Sequence, residues 1–168
     1  YKTGGFAIGC QAYTFNRFTV FEAIEKTAQA GGKIIEFYPG QRLSKAEPKV
    51  VLDHNASEDV LAQVKAKLAQ HKVKAVNYGV VGIPQDEAGA RKVFEFAKKM
   101  GMRAVTTEST ESIDTIEKLV KEYNVGVAYH NHPKFNLLRH FLIPLFGILA
   151  NLACMFFYII GPFLGYGT

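Results

Sequence analysis

"VKAVNYGVVGIPQDEAGARKVFEFAKKMGMRAVTTE", residues 73–108, holds a strand, a helix and a second strand in one run. VKAVNYG (73–79) and MRAVTTE (102–108) are short and β-rich. Between them lies an amphipathic segment with Pro84 near its start, acids in its first turn, lysines in its last and Gly101 as its stop. That charge order matches the helix dipole at both ends. The same rhythm extends in both directions. FAIGCQAY (6–13) and KIIEFY (33–38) are earlier strands, and VGVAYH (125–130) is a fifth. Between the first two, Thr19 is a helix N-cap with Glu22 completing a capping box, Phe21, Ile24 and Ala28 share a face, and Gly31–Gly32 is the stop. After a longer polar loop, Ser57 caps a helix with Val60, Leu61, Val64 and Leu68 in one stripe, and Ser112 caps a fourth helix through Tyr123.

Strands alternating with helices imply right-handed crossovers and a parallel sheet. An open doubly wound sheet and a (β/α)8 barrel both satisfy that order. The turn after the first strand is CQAYTFNRFT (10–19), with no G-x-G-x-x-G, which disfavours a dinucleotide-binding fold.

Composition divides the chain in two. Of 168 residues, 48% are hydrophobic and 21% charged, which is ordinary for a globular protein. Yet all 20 Lys/Arg and all 15 Asp/Glu lie at or before Arg139. The net charge of +5 comes from acids and bases alternating along the helices, the pattern of solvated helix faces rather than of a nucleic-acid-binding stripe. Cys10 and Cys154 fall in the two different materials, so reduced thiols and a cytoplasmic location are expected for residues 1–134. The first residues hold no basic region followed by an apolar core, so no signal peptide is expected.

In parallel α/β folds the C-terminal strand ends carry the chemistry, because the loops converge there. Those positions hold Tyr13, Glu36, Asn77, Glu108 and the trio His130, Asn131, His132. Each has an ordinary explanation: Glu36 pairing with a lysine, Asn77 ending its strand, Glu108 interacting with a helix dipole. The histidines are harder to dismiss, since residues i and i+2 of a strand point the same way and both imidazoles can face one cavity. They are suited to hold a divalent metal or polarise a carbonyl, with Glu108 as base or ligand. Neither cysteine belongs to a CxxC pair, which argues against structural zinc. His54 and His71 are read as surface residues.

VNYGVVGIP (76–84), KVFEFAKKMG (92–101), VTTESTESIDTIEKLVKEYNV (105–125) and AYHNHPK (128–134), in this order, resemble the sugar phosphate isomerase/epimerase family of xylose-isomerase-like barrels. The resemblance covers residues 5–134 and implies an incomplete (β/α)8 TIM barrel of about five strand–helix repeats. It implies divalent-metal-assisted proton transfer (Mn, Mg, Co or Zn) next to a carbonyl of a sugar or polyol, through an enediolate. Carried over residue by residue, Glu108 and His130 become the catalytic residues and best metal candidates, and Glu36, Asn77, Asn131 and His132 the substrate contacts. Family members place an Asp, a His and a Glu of the metal site on later strands, and nothing after Lys134 matches them. The fifth strand is then left with an open edge that a second copy would cover.

HFLIPLFGILANLACMFFYIIGPFLGYGT (140–168) is another material. Residues 141–160 suffice for a spanning helix, which needs about 20 residues for a ~30 Å hydrocarbon core. Lys134 and Arg139 precede it, putting its N-terminal side in the cytoplasm. The stretch resembles a transmembrane piece of amino-acid/polyamine permeases. The expected organisation is thus a barrel-like domain over 1–134 and one membrane-anchoring segment over 135–168. The alternatives are a non-enzymatic membrane-anchored α/β module and a fragment of a fusion with a permease.

Overall fold

A computed structural model describes residues 2–3 and 5–132. The spanning helix expected over residues 141–160, its flanking Lys134 and Arg139, and Cys154 lie outside the described residues. The chain divides into two compact units, Tyr1–Asn131 and His132–Thr168. All the described strands and helices belong to the first.

The strands are β1 (Lys2–Thr3), β2 (Phe6–Ala7), β3 (Gly9–Gln11), β4 (Ile34–Phe37), β5 (Gln41–Arg42), β6 (Val51–Leu52), β7 (Lys74–Tyr78), β8 (Ala104–Thr107) and β9 (Gly126–Tyr129). The helices are α1 (Val20–Gln29), α2 (Glu58–His71), α3 (Glu87–Lys99) and α4 (Ile113–Tyr123). The main sheet is parallel, in the order β3-β4-β7-β8-β9. Each new strand is added beside the last, without the reversal a doubly wound sheet requires. Right-handed crossovers repeated in one direction put every helix on one side, which is barrel winding.

Burial follows that geometry. Ile35, Phe37, Ala75, Tyr78, Val105 and Thr107 are buried, and α1, α2, α3 and α4 pack on β4, β7, β8 and β9 respectively. The alternate positions, including Ile34, Glu36, Ala104 and Thr106, are only half-buried and form the concave face. Between the layers sit Ile24, Leu61, Val64, Val93, Phe94 and Leu119, each at most 2% exposed. Each such side chain contributes about 1.5–3 kcal/mol by leaving water.

Local signals explain most helix ends. The capping box on α1 is complete, with the Thr19 side chain accepting from the Glu22 amide and the Glu22 carboxylate accepting from the Thr19 amide. Ser57 accepts from the Val60 amide, and the Val60–Leu68 stripe is buried as expected. Gly101 follows α3 with φ +69°, a conformation that strains a residue carrying a Cβ.

Several expectations are corrected. Residues 6–13 are not one strand: β2 pairs antiparallel with β1, and only β3 joins the parallel sheet. The Gln11 side chain accepts the Tyr13 amide and starts a 3-10 turn over Ala12–Phe15, so Tyr13 sits beyond the strand. Pro84 lies before α3; Asp86 is its N-cap, accepting from the Gly89 amide at 2.7 Å. Ser112 precedes α4 but makes no side-chain cap. The polar loop after β4 contains the antiparallel pair β5–β6. His54 and His71 are half-buried rather than surface residues; His54 Nδ1 lies 3.4 Å from the Tyr78 hydroxyl, and burial lowers its pKa. Among the described residues no helix is long and apolar enough to cross a membrane.

The capping box carries a pH signature. The Lys45 ammonium, 2.8 Å away, and next the Thr19 amide hold the Glu22 carboxyl down to about 2, from an ordinary 4.5. The folded chain therefore gives up this proton more readily than the unfolded chain does, so the contribution is complete above about 4.5 and is lost as pH falls toward 2. Glu22→Gln is expected to lower the unfolding free energy at neutral pH by about 1 kcal/mol. In urea titrations across pH, that deficit should vanish at the acid end.

Candidate functional site

The site begins with a strand register. Thr107 on β8 faces Tyr129 on β9, and the ladder runs one step further, with the His130 amide donating to the Thr107 carbonyl at 2.8 Å. The residue after Thr107 is then set beside the residue after Tyr129. Glu108 Oε1 and His130 Nδ1 meet at 2.9 Å, with side chains 50% and 44% exposed. Side-chain alternation puts both on the same face as Thr106 and Ala128, the concave one.

Further along the sheet, β3 pairs with β4 through Gln11 and Glu36, and β4 with β7 through Glu36 and Asn77. Above these ends opens a cleft of about 810 Å³, lined by Gln11, Tyr13, Thr14, Glu36, Tyr38, Pro39, Val80, Thr106 and His130. Every main-sheet strand or the loop following it contributes to that lining. Tyr13 and Tyr38 meet edge to face, with ring centroids 5.1 Å apart and planes at 75°. Burial, and then Tyr13, raise the pKa of the Tyr38 hydroxyl, which stays a neutral donor and acceptor at ordinary pH. The lining combines two tyrosine rings with a carboxylate, an amide, a hydroxyl and an imidazole. A polyhydroxylated ligand, with polar edges and a carbon face, fits such a surface.

The expected site residues separate into groups. Glu36 and His130 line the cleft, and Glu108 reaches it through His130. Asn77 donates its amide to Thr106 Oγ1 at 2.6 Å, so Thr106 meets the cleft and Asn77 supports it. Asn131 is exposed at the end of the first unit, and His132 is exposed as the first residue of the second. Gln11, Tyr38 and Thr106 were not foreseen. Their signal was available, since Gln11 ends β3, Tyr38 follows β4 and Thr106 lies two residues before Glu108 on one strand face.

For metal binding, Glu108 and His130 each offer one ligand atom, within 4.8 Å of each other. A carboxylate oxygen with an imidazole nitrogen suits Mn, Co or Zn. The pair fits the ion chemically, yet supplies only part of a four- to six-coordinate shell.

No family model matches the chain. No curated protein matches it either. Among solved structures, an uncharacterized protein from Parabacteroides distasonis is 32% identical at a TM-score of 0.70, over 76% of this chain and 54% of that one. A sugar phosphate isomerase/epimerase from the same organism is 11% identical at a TM-score of 0.54, over 77% of this chain and 52% of that one. D-psicose 3-epimerase, solved with D-fructose, is 14% identical at a TM-score of 0.50, over 70% and 48%. The chain spans about half the length of the structures it matches. These likenesses assign an isomerase/epimerase-like fold, of which the parallel sheet here is a part.

A pair that exists for chemistry costs little to remove from the fold. Both partners are about half exposed, so Glu108→Gln and His130→Ala are each expected to change unfolding free energy by less than ~1 kcal/mol. Chemical denaturation measures it directly, and a loss several times larger would make the pair a structural brace.

Proposed function

We propose that this barrel face belongs to a divalent-metal-assisted isomerase or epimerase acting on a sugar or polyol. The observation that supports it most is the Glu108–His130 pair, held at 2.9 Å beside a cleft lined by both aromatic and polar side chains. In this reading Gln11, Glu36 and Thr106 hold hydroxyl groups, while Tyr13 and Tyr38 pack on the carbon face. A carboxylate removes the proton from the carbon next to the carbonyl. The electron pair moves into the new C=C bond and the carbonyl oxygen takes the negative charge. Return of the proton to the opposite face of the same carbon completes epimerisation; its delivery to the neighbouring carbon, with the hydroxyl proton passing to the former carbonyl oxygen, completes isomerisation. Glu108 is the assigned base, and His130 donates to the developing oxyanion.

Glu108 and His130 would hold the metal. When bound, the ion supplies Lewis-acid stabilisation of the oxyanion.

Titrating Mn²⁺ or Co²⁺ into the full chain is expected to raise its thermal stability, by about 2.7 kcal/mol at a hundredfold excess over Kd. His130→Ala and Glu108→Gln should each remove most of that gain. With metal present, candidate ketoses in D₂O should acquire deuterium at the carbon beside the carbonyl. Absence of a metal-dependent shift in the unaltered chain would overturn the metal reading, and no deuterium uptake with any ketose would overturn the activity.

The remaining expectations stand as proposals. β9 closes the main sheet at one end and, among the described residues, pairs only with β8; a second copy of the chain is the proposed cover. For the tail, the uncharged sequence over residues 141–160 supports a membrane anchor. Full-length chain should then sediment with membranes and require detergent for release, and deletion of residues 135–168 should abolish both. A full-length chain recovered without detergent would contradict the anchor.

A further inference from the structure

A second, smaller cleft of about 330 Å³ lies where the loop before α1 meets β5 and the loop after it. Its lining includes Arg17, Arg42 and Lys45, with Glu22 as the opposing carboxylate. We infer that this cleft is a phosphate site, binding a phosphoryl group carried by a small ligand through Arg17 and Arg42. Sequence does not place these cations together, since 25 positions separate the two arginines. Gln41 does: it is 2% exposed, and its Nε2 donates to the carbonyls of Phe15 at 3.3 Å and Phe18 at 3.2 Å. That clamp fastens the strand residue beside Arg42 to the loop residue beside Arg17.

The helix N-terminus is not the binder. Three amides of the first turn of α1 are already engaged, Phe21 with the Leu43 carbonyl, Glu22 with the Thr19 side chain and Ala23 with the Thr19 carbonyl. Lys45 is likewise spent on Glu22, at 2.8 Å. Arg17 and Arg42 are left: both are exposed, and among the described residues neither is in an ion pair. Two guanidinium forks on one concavity match the oxygens of a phosphate better than two ammonium groups do. The charge of Arg42 also acts on Tyr38, which lines the larger cleft, so the two sites are electrostatic neighbours. A ligand reaching from one to the other would have a polyhydroxylated end and a phosphorylated end; only that description of the whole ligand rests on the sugar reading of the larger cleft.

The test is calorimetric titration of inorganic phosphate into the full chain, without metal and at low salt, where screening is least. Saturable binding is expected. Arg17→Ala and Arg42→Ala should each weaken it roughly tenfold, and the double variant should abolish it. Arg42→Lys should restore part of the affinity, which a folding defect would not allow, and Lys121→Ala on α4 should change nothing. Absence of saturable binding, wild-type affinity in the double variant, or acetate binding as tightly as phosphate would each overturn the assignment. Because no metal is present, His130→Ala should bind phosphate normally. Failure of the metal site and failure of this one are therefore read separately.

Discussion

One parallel strand pairing carries the rest of the site. The register of β9 on β8 is anchored by the His130 amide on the Thr107 carbonyl, and through it Glu108 and His130 become neighbours on the concave face. A slip of one residue would turn His130 toward the helices and leave Glu108 facing the cleft without it. The pairing of β7 with β8 is equally constrained. A Cβ added at Gly79 would lie 2.6 Å from the Thr106 Cβ, so only glycine lets the chain leaving β7 pass this close. Asn77 spans the same two strands to Thr106.

The two sides of the sheet do different work. On the helix side, fully buried aliphatic and aromatic side chains supply the driving force, and among the described residues the fully buried titratable group is the Tyr78 hydroxyl, which burial pushes further toward its neutral form. On the concave side, half-buried positions tolerate Glu36, Asn77, Thr106 and Glu108 because water and neighbouring polar groups still reach them. Packing against the helices supplies stability, while the polar groups of the cleft gather at the C-terminal strand ends, where barrel folds place their chemistry.

How much of this the sequence disclosed depends on the range of each interaction. Helix starts at Thr19 and Ser57 are set by bonds to amides three residues away, and they were legible. So was the strand–helix alternation, because burial on one helix face imposes its own period. The division of residues 6–13 was not legible, since it depends on β1 folding back on β2 and on Gln11 capping a 3-10 turn. Pro84 was a plausible helix start, but Asp86 won because its carboxylate reaches the Gly89 amide. At the site, Glu36, Glu108 and His130 were found by counting to the strand ends. Tyr38 and Thr106 were missed although Tyr38 directly follows β4 and Thr106 lies two residues before Glu108 on the same strand face. Arg17 and Arg42 were beyond any local pattern, joined only by a buried glutamine on a hairpin the sequence did not announce.

The most direct test of the account is to observe the anchoring hydrogen bond itself. In a ¹⁵N,¹³C-labelled sample, scalar coupling across hydrogen bonds should link the His130 amide nitrogen to the Thr107 carbonyl carbon. Coupling from His130 to the Thr106 or Glu108 carbonyl, or a β8–β9 ladder displaced by one residue, would contradict the placement of the Glu108–His130 pair and the site built on it.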